Sequence, residues 1–287
     1  LLWSPDPGSS VVFLLLPILI IPFIIGLLDD LFHLKPNAKL LAQWVTASLI
    51  FAILQIRITS FYDFLPDYEF STVLSYCVTA FVVVVITNSL NLIDGIDGLA
   101  AAFSVIACLF FGSWFLMAEQ YSFALICLSL AGGILAFLFQ NWEPSNIFMG
   151  DTGSLVIGTL LSIITIQFVN SNHTLSPTDP IKFNSSILAA LCAMIIPLVD
   201  TTRIIIVRLS LGISPFTADQ RHIHHGLVKL GFTHKRAVYI LALVHIAMIT
   251  MAILLRHGNQ FLLLALVVGI CLTLCLLLRR ALIRMER

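Results

Sequence analysis

Residues 72–118 read TVLSYCVTAFVVVVITNSL, then NLIDGIDG, then LAAAFSVIACLFFGSWFLMA. The outer parts, 72–90 and 99–118, are apolar runs. Each is long enough to cross a hydrocarbon core, which takes about 20 residues of helix. Between them stand Asn91, Asp94 and Asp97, with two Asp-Gly steps. Such steps are strong turn formers. The stretch reads as helix, polar turn, helix, with carboxylates held at a membrane surface.

The same pattern extends in both directions. Apolar runs at 11–28, 39–58, 121–140, 154–170, 185–207, 237–256 and 261–278 bring the number of expected spans to nine. Pro17 and Pro22 are expected to kink the first run and Pro197 the seventh. The backbone groups they free need partners on neighbouring helices. Composition agrees: 59% of residues are hydrophobic and 10% charged, with a mean hydropathy of +1.04. Soluble domains carry about 25% charged residues, so a soluble globule is excluded. A barrel would instead show alternating segments of about ten residues. The fold class is therefore an all-α, polytopic transmembrane bundle, with residues 1–287 as one domain. The six cysteines lie inside apolar runs and read as small hydrophobes, including Cys271 and Cys275 on one helix face. No basic segment followed by a cleavage site opens the chain, so no signal peptide is expected. Net charge is zero, and no nucleic-acid partner is expected.

Nine spans place the loops at 29–38, 91–98, 141–153 and 208–236 on one side, together with the C-terminus. That side holds twelve of the fifteen Lys and Arg residues, counting helix ends; the other holds Arg57, Lys182 and Arg256. The bias makes the richer side cytoplasmic. It also carries Asp29, Asp30, Asp94, Asp97 and Asp151. Ionisable groups at such depth are costly and usually functional. On the opposite side, residues 59–71 suggest a short interfacial hairpin over a plain aromatic belt.

Each polar cluster has a chemical reading. Asp29 and Asp30 end the first span, where one of two adjacent carboxylates can hold a proton and act as a base. A solvated helix end is the alternative, weakened because acids at a helix C-terminus oppose the macrodipole. Asn91, Asp94 and Asp97 recur every three residues and would line one face of a helical turn, as ligand or metal contacts. The spacing is not an EF-hand. Phe148-Met149-Gly150-Asp151-Thr152-Gly153-Ser154 sets glycines around an Asp at the start of a span. Helix N-termini suit phosphate, and Asp151 would hold Mg²⁺ bridging it. Capping of that helix by Asp151 or Ser154 is the plain alternative. Arg221, His222, His224 and His225 suit an anion better than zinc, because the surrounding ligands are hard oxygens. A solvated loop is their alternative.

Together, in this order and on one face, the Asp29-Asp30 pair, Asn91-x-x-Asp94-Gly-x-Asp97-Gly-Leu, Phe148-Met-Gly-Asp151-x-Gly-Ser and His222-Ile-His224-His225 resemble the polyprenyl-phosphate N-acetylhexosamine-1-phosphate transferase family. The His-Ile-His-His form is similar to the branch that uses UDP-N-acetylglucosamine. The resemblance runs from about residue 20 to 235. It implies transfer of a sugar 1-phosphate from a UDP-N-acetylhexosamine to undecaprenyl phosphate in the bacterial inner membrane. UMP is released, Mg²⁺ (or Mn²⁺) is required, the active site faces the cytoplasm and a homodimer forms. Carried over, Asp151 holds the metal, and Asp29 and Asp30 position or deprotonate the lipid phosphate. Asn91, Asp94 and Asp97 meet the nucleotide or shape the metal site. Phe148 lies against the uracil, and Arg221, His222, His224 and His225 read the diphosphate and sugar. Direct attack and a phospho-aspartate at Asp30 both stay open. Two departures stand out. The family has two further N-terminal spans, so the chain reads as lacking its N-terminal part, and Gln220 separates Asp219 from Arg221. A cation- or proton-coupled transporter and a structural scaffold are the rival classes.

Overall fold

Backbone in a hydrocarbon layer has no water to pair with, so apolar runs of this length close their own hydrogen bonds as helices. A computed structural model describes residues 7–65, 68–212 and 222–285. Among them are α1 (Pro7–Phe32), α2 (Pro36–Leu49), α3 (Thr72–Ile93), α4 (Leu99–Met117), α5 (Tyr121–Asn141) and α6 (Gly150–Thr174). There follow α7 (Ser186–Ala193), α8 (Ile195–Ser210), α9 (Ile223–Lys229), α10 (His234–Leu254) and α11 (Gln260–Met285). Among the described residues, eight helices are long and apolar enough to cross a membrane. The pair α7–α8, bent by 82°, brings the number to nine where it is counted as one broken span. The chain is all-α among the described residues, with eight to nine candidate spans against the nine expected.

α4 packs along α5, while α6 packs between α1 and α3. Phe110, Phe111 and Trp114 of α4 interlock with Phe168 of α6 in the buried core. α11 buries only Leu263 and Val267 and presents an apolar surface suited to lipid.

The prolines act differently from one another. α1 continues through Pro17 and Pro22. The seventh run breaks at Met194, three residues before Pro197. Proline has no N–H, so the Ala193 carbonyl four residues earlier loses its helical donor. His245 on α10 places Nε2 2.8 Å from that oxygen. His245 is buried and its ring lies 5.0 Å from Phe103. His245→Ala should leave the carbonyl unpaired and destabilise the protein by about 1–3 kcal/mol. Thermal unfolding in detergent checks this; an unchanged midpoint would show that the break needs no such partner.

The loops sort into two ends. At one end, Asn170 Nδ2 donates to the Arg57 carbonyl at 3.0 Å, and Tyr62 hydrogen-bonds Asn170. Asp63 accepts from the Ser186 N–H and hydroxyl, both at 2.9 Å, capping α7 from a distant segment. Asn184 N–H donates to the Arg256 carbonyl at 2.7 Å. Among the described residues the expected hairpin is reduced to one antiparallel bridge, Ser60 to Glu69, with a 3₁₀ turn at Tyr62–Phe64. Every Asp cluster lies at the other end.

Candidate active site

At the Asp-bearing end the helices outrun their apolar stretches. α1 extends to Phe32, α3 to Ile93, and α6 begins at Gly150, so Asp29, Asp30 and Asp151 sit on helical turns. Hydropathy marks where side chains leave the lipid, whereas capping marks where the helix stops.

The cap of α6 is neither Asp151 nor Ser154. Asp30 supplies it from α1: Oδ1 accepts from Asp151 N at 2.8 Å, and Oδ2 accepts from Thr152 N at 3.0 Å and from the Thr152 hydroxyl. A carboxylate at a helix N-terminus meets both the free N–H groups and the positive end of the dipole. Gly150 makes room for it. Its φ is +64°, and a Cβ there would lie 2.8 Å from Asp30 Oδ2. Ser154 instead accepts a hydrogen bond from Asn91 Nδ2 at 2.9 Å, tying α3 to α6.

Asp29 faces the start of α2. Its Oδ1 accepts from Leu34 N at 2.8 Å. Its Oδ2 lies 3.0 Å from Lys39 Nζ, which also reaches Asp151 Oδ2 at 2.6 Å. One ammonium thus draws the metal-ligand candidate and the first acid of the pair together. Charge-assisted bonds of this kind are about twice as strong as neutral ones.

The turn after α3 leaves helical geometry at Asp94 (φ −74°, ψ 51°), so the expected single helical face for Asn91, Asp94 and Asp97 does not form. Asp97 turns towards the chain after α5: Oδ1 accepts from the Ser145 hydroxyl at 2.9 Å, and Oδ2 lies 3.7 Å from His234 Nδ1. Burial, and then the charges of Asp151, Asp30 and Asp97, push the Asp94 carboxyl up to about 7. Between its ordinary value of about 3.9 and about 7, the folded chain therefore keeps a proton that the unfolded chain releases. Stability falls as pH rises through that window. The slope of melting temperature against pH, measured without divalent cations, should be shallower in Asp94→Asn. Equal slopes would contradict the assignment.

The histidines close the site from α9. His222 stands at its N-cap position without a side-chain cap, and the rings of His222 and His224 stack with centroids 5.4 Å apart. His224 is 1% exposed, and neither ring nitrogen has a hydrogen-bond partner among the described residues. Burial pushes its imidazole down to about 3 against the pull of Asp200, so it is neutral at physiological pH. Burial also lowers His225. His224 reaches the Asp94 turn: a Cβ on Gly95 would lie 2.4 Å from His224 Nε2. Phe148, 78% exposed, stands just before α6. Arg221 lies outside the described residues.

The expected site residues other than Arg221 thus lie at one end of the bundle, on four stretches of chain. Residues 11–169 match the family described as Glycosyl transferase family 4. The chain belongs to glycosyl transferase family 4. It is 33% identical over 241 residues to a Bacillus subtilis protein named "Probable undecaprenyl-phosphate N-acetylglucosaminyl 1-phosphate transferase", covering 83% of this chain and 64% of that protein. It is also 33% identical over 237 residues to the "Decaprenyl-phosphate N-acetylglucosaminephosphotransferase" of Mycolicibacterium smegmatis, covering 76% and 57%. An Escherichia coli K12 protein named "Undecaprenyl-phosphate alpha-N-acetylglucosaminyl 1-phosphate transferase" is 28% identical over 241 residues, covering 82% and 63%. The chain thus spans less than two thirds of the length of each of these relatives. The family agrees with the resemblance carried by the four motifs.

Two residues of this glycosyl transferase family 4 site escape the motif reading. Lys39 counts only towards sidedness until its two carboxylate partners are seen. Asp200 sits inside the seventh apolar run, 2% exposed, and pairs with His222 Nδ1 at 2.9 Å. The signal for Asp200 is the lone acid in that run; for Lys39 it is the basic residue ten positions after Asp29.

Proposed function

We propose that the protein transfers N-acetylglucosamine 1-phosphate, or the 1-phosphate of a similar N-acetylhexosamine, from its UDP-sugar to undecaprenyl phosphate, releasing UMP. The observation that carries this is the gathering of Asp29, Lys39, Asp94, Asp151 and the histidines at one end of a membrane bundle, in a chain of this family. The twelve-to-three Lys/Arg bias supports a cytoplasmic orientation of that end. The bacterial relatives support an inner-membrane location. A homodimer belongs to the same reading on the resemblance alone.

The donor set fits Mg²⁺, with Mn²⁺ as the alternative ion. Burial first, and then the charges of Asp151, Asp30 and Asp97, raise the Asp94 carboxyl, so these carboxylates lie near enough to act on one another. Among the described residues no three acidic, His or Cys groups form a ready cage. Mg²⁺ suits such a place, since it takes one or two carboxylates and completes its shell with phosphates and water. Asp151 is the proposed ligand, with Asp94 beside it. When bound, the ion would supply charge neutralisation at the donor phosphates.

The chain's own groups do the positioning that phosphoryl transfer depends on. Lys39 and Asp29 meet the lipid phosphate, whose second pKa of about 6 makes it a ready nucleophile near neutral pH. Asp29 orients it or takes its last proton. Asp30 holds the start of α6, and with it Asp151, in place. Both Asp30 oxygens are engaged in that cap, which favours direct attack on the sugar-bearing phosphate over a phospho-aspartate. Asn91 and Asp97 shape the nucleotide side, Phe148 offers an exposed ring to the uracil, and the histidines, with Arg221 preceding them, face the diphosphate and sugar.

A coupled transporter would set its carboxylates near the midplane between repeated halves. Here they meet at one end, in a transferase family, and that reading falls. The test is UMP release by purified protein in lipid. Release should require UDP-N-acetylglucosamine, undecaprenyl phosphate and a divalent cation together. Release without the lipid acceptor, or none with all three present, would overturn the reading.

A further inference from the structure

We propose that Asp200 is a positioning residue: it fixes the ring tautomer of His222 and anchors the histidine segment against the Asp94–Asp97 turn. The inference rests on the transferase reading for its kinetic consequence, though not for its geometry.

Asp200 lies on α8, just past the break in the seventh span, and is 2% exposed. A buried carboxylate is costly unless paired and hydrogen-bonded. This one is paired on both oxygens. Oδ2 lies 2.9 Å from His222 Nδ1 and 4.0 Å from His224 Nδ1. Oδ1 accepts from the Ile223 backbone N–H at 2.9 Å and from Arg203 Nη2 at 3.2 Å. An ionised carboxylate only accepts, so the hydrogen between Asp200 and His222 belongs to Nδ1. Neutral His222 then carries its lone pair on Nε2, the nitrogen farther from Asp200. Free histidine favours the opposite tautomer, so the pairing decides the ring's chemistry.

The same carboxylate sets where the segment sits. Ile223 N–H is the first backbone donor of α9, so ring and helix start are fixed by one group. His224, two residues after the cap, is thereby delivered to Gly95, where its Nε2 occupies the space of a missing side chain. Asp200 thus links the histidines to Asp94 and Asp97 without itself being among the groups assigned to substrate. Partners that orient metal-ligating histidines are typically worth about 10–100-fold in affinity or activity, and a loss of that order is expected here.

The test uses the protein in lipid with ¹⁵N-labelled histidine, the His222 resonances being assigned through His222→Gln. Wild-type neutral His222 should carry its proton on Nδ1 with Nε2 bare, and Asp200→Asn should reverse this, since its amide can donate to Nδ1. In UMP release, Asp200→Asn and His222→Gln should each lower kcat about 10–100-fold, with KM for the UDP-sugar within about 2-fold of wild type. The double variant should be no slower than the slower single variant, because the two act through one ring. A wild-type ring protonated on Nε2 would overturn the proposal, whether or not Asp200→Asn folds. So would additive losses in kcat. If the wild type releases no UMP, the transferase reading fails, and the nitrogen spectrum still decides the Asp200–His222 claim.

Discussion

Asp151→Asn is expected to lower UMP release by about 10³-fold while leaving the bundle folded. The substitution keeps the side chain's shape and removes its charge. The Asp151 backbone N–H still donates to Asp30, so the start of α6 keeps its cap. What is lost is the carboxylate that Lys39 approaches at 2.6 Å and that the proposed cation would share. Charge placed in advance where a reaction develops it is commonly worth 10²–10³ in kcat for a single group, about 3–4 kcal/mol. A divalent ligand combines that effect with binding of the ion itself. Turnover in detergent or lipid, with a melting curve as the folding control, measures the two separately. A variant with wild-type rate and wild-type cation dependence would remove Asp151 from the site.

The second large effect is expected from a residue with no chemistry of its own. Gly26 lies on α1 against the first turn of α6. A Cβ there would stand 2.5 Å from Thr152 Cα and 2.6 Å from the Asp151 carbonyl oxygen. Ordinary contact needs about 3.5–4.0 Å, and main-chain atoms cannot rotate aside. Gly26→Ala therefore has to push α1 and α6 apart by roughly an ångström at the point where Asp30 caps α6. Overpacking of this kind costs about 1–3 kcal/mol. A displacement near an ångström can also cost about 10²-fold in rate. Gly132→Ala on α5 is the control, since nothing lies within 4 Å of a Cβ built there. Equal melting points and rates for the two variants would show that the α1–α6 approach is not tight.

The fold was largely legible because lipid imposes a simple rule on it: run length gives the spans. Even the break near Pro197 follows from a missing N–H, although its partner, His245, lies 48 residues beyond that proline. The site was legible as a set of residues and much less as a set of contacts. Asp30 and its partners on α6 are more than 120 positions apart, so no local pattern could separate a base from a helix cap. Asn91 and Ser154 meet across 63 positions for the same reason. The three-residue spacing of Asn91, Asp94 and Asp97 suggested one helical face, yet α3 stops at Ile93 and Asp97 turns to Ser145. Asp200 is hidden by its surroundings: the length of the apolar run defines the span, and the one acid within it has no motif around it. A lone carboxylate in such a run should be treated as a residue with a partner elsewhere.

In the proposed reaction the phosphate travels with the sugar, and a label in the donor distinguishes this from transfer of the sugar alone. Protein in lipid is given UDP-N-acetylglucosamine labelled with ³²P at the β-phosphorus, with undecaprenyl phosphate and Mg²⁺. The expected result is label in the lipid fraction and unlabelled UMP in solution. Label recovered in soluble UDP, with sugar alone on the lipid, would contradict the account.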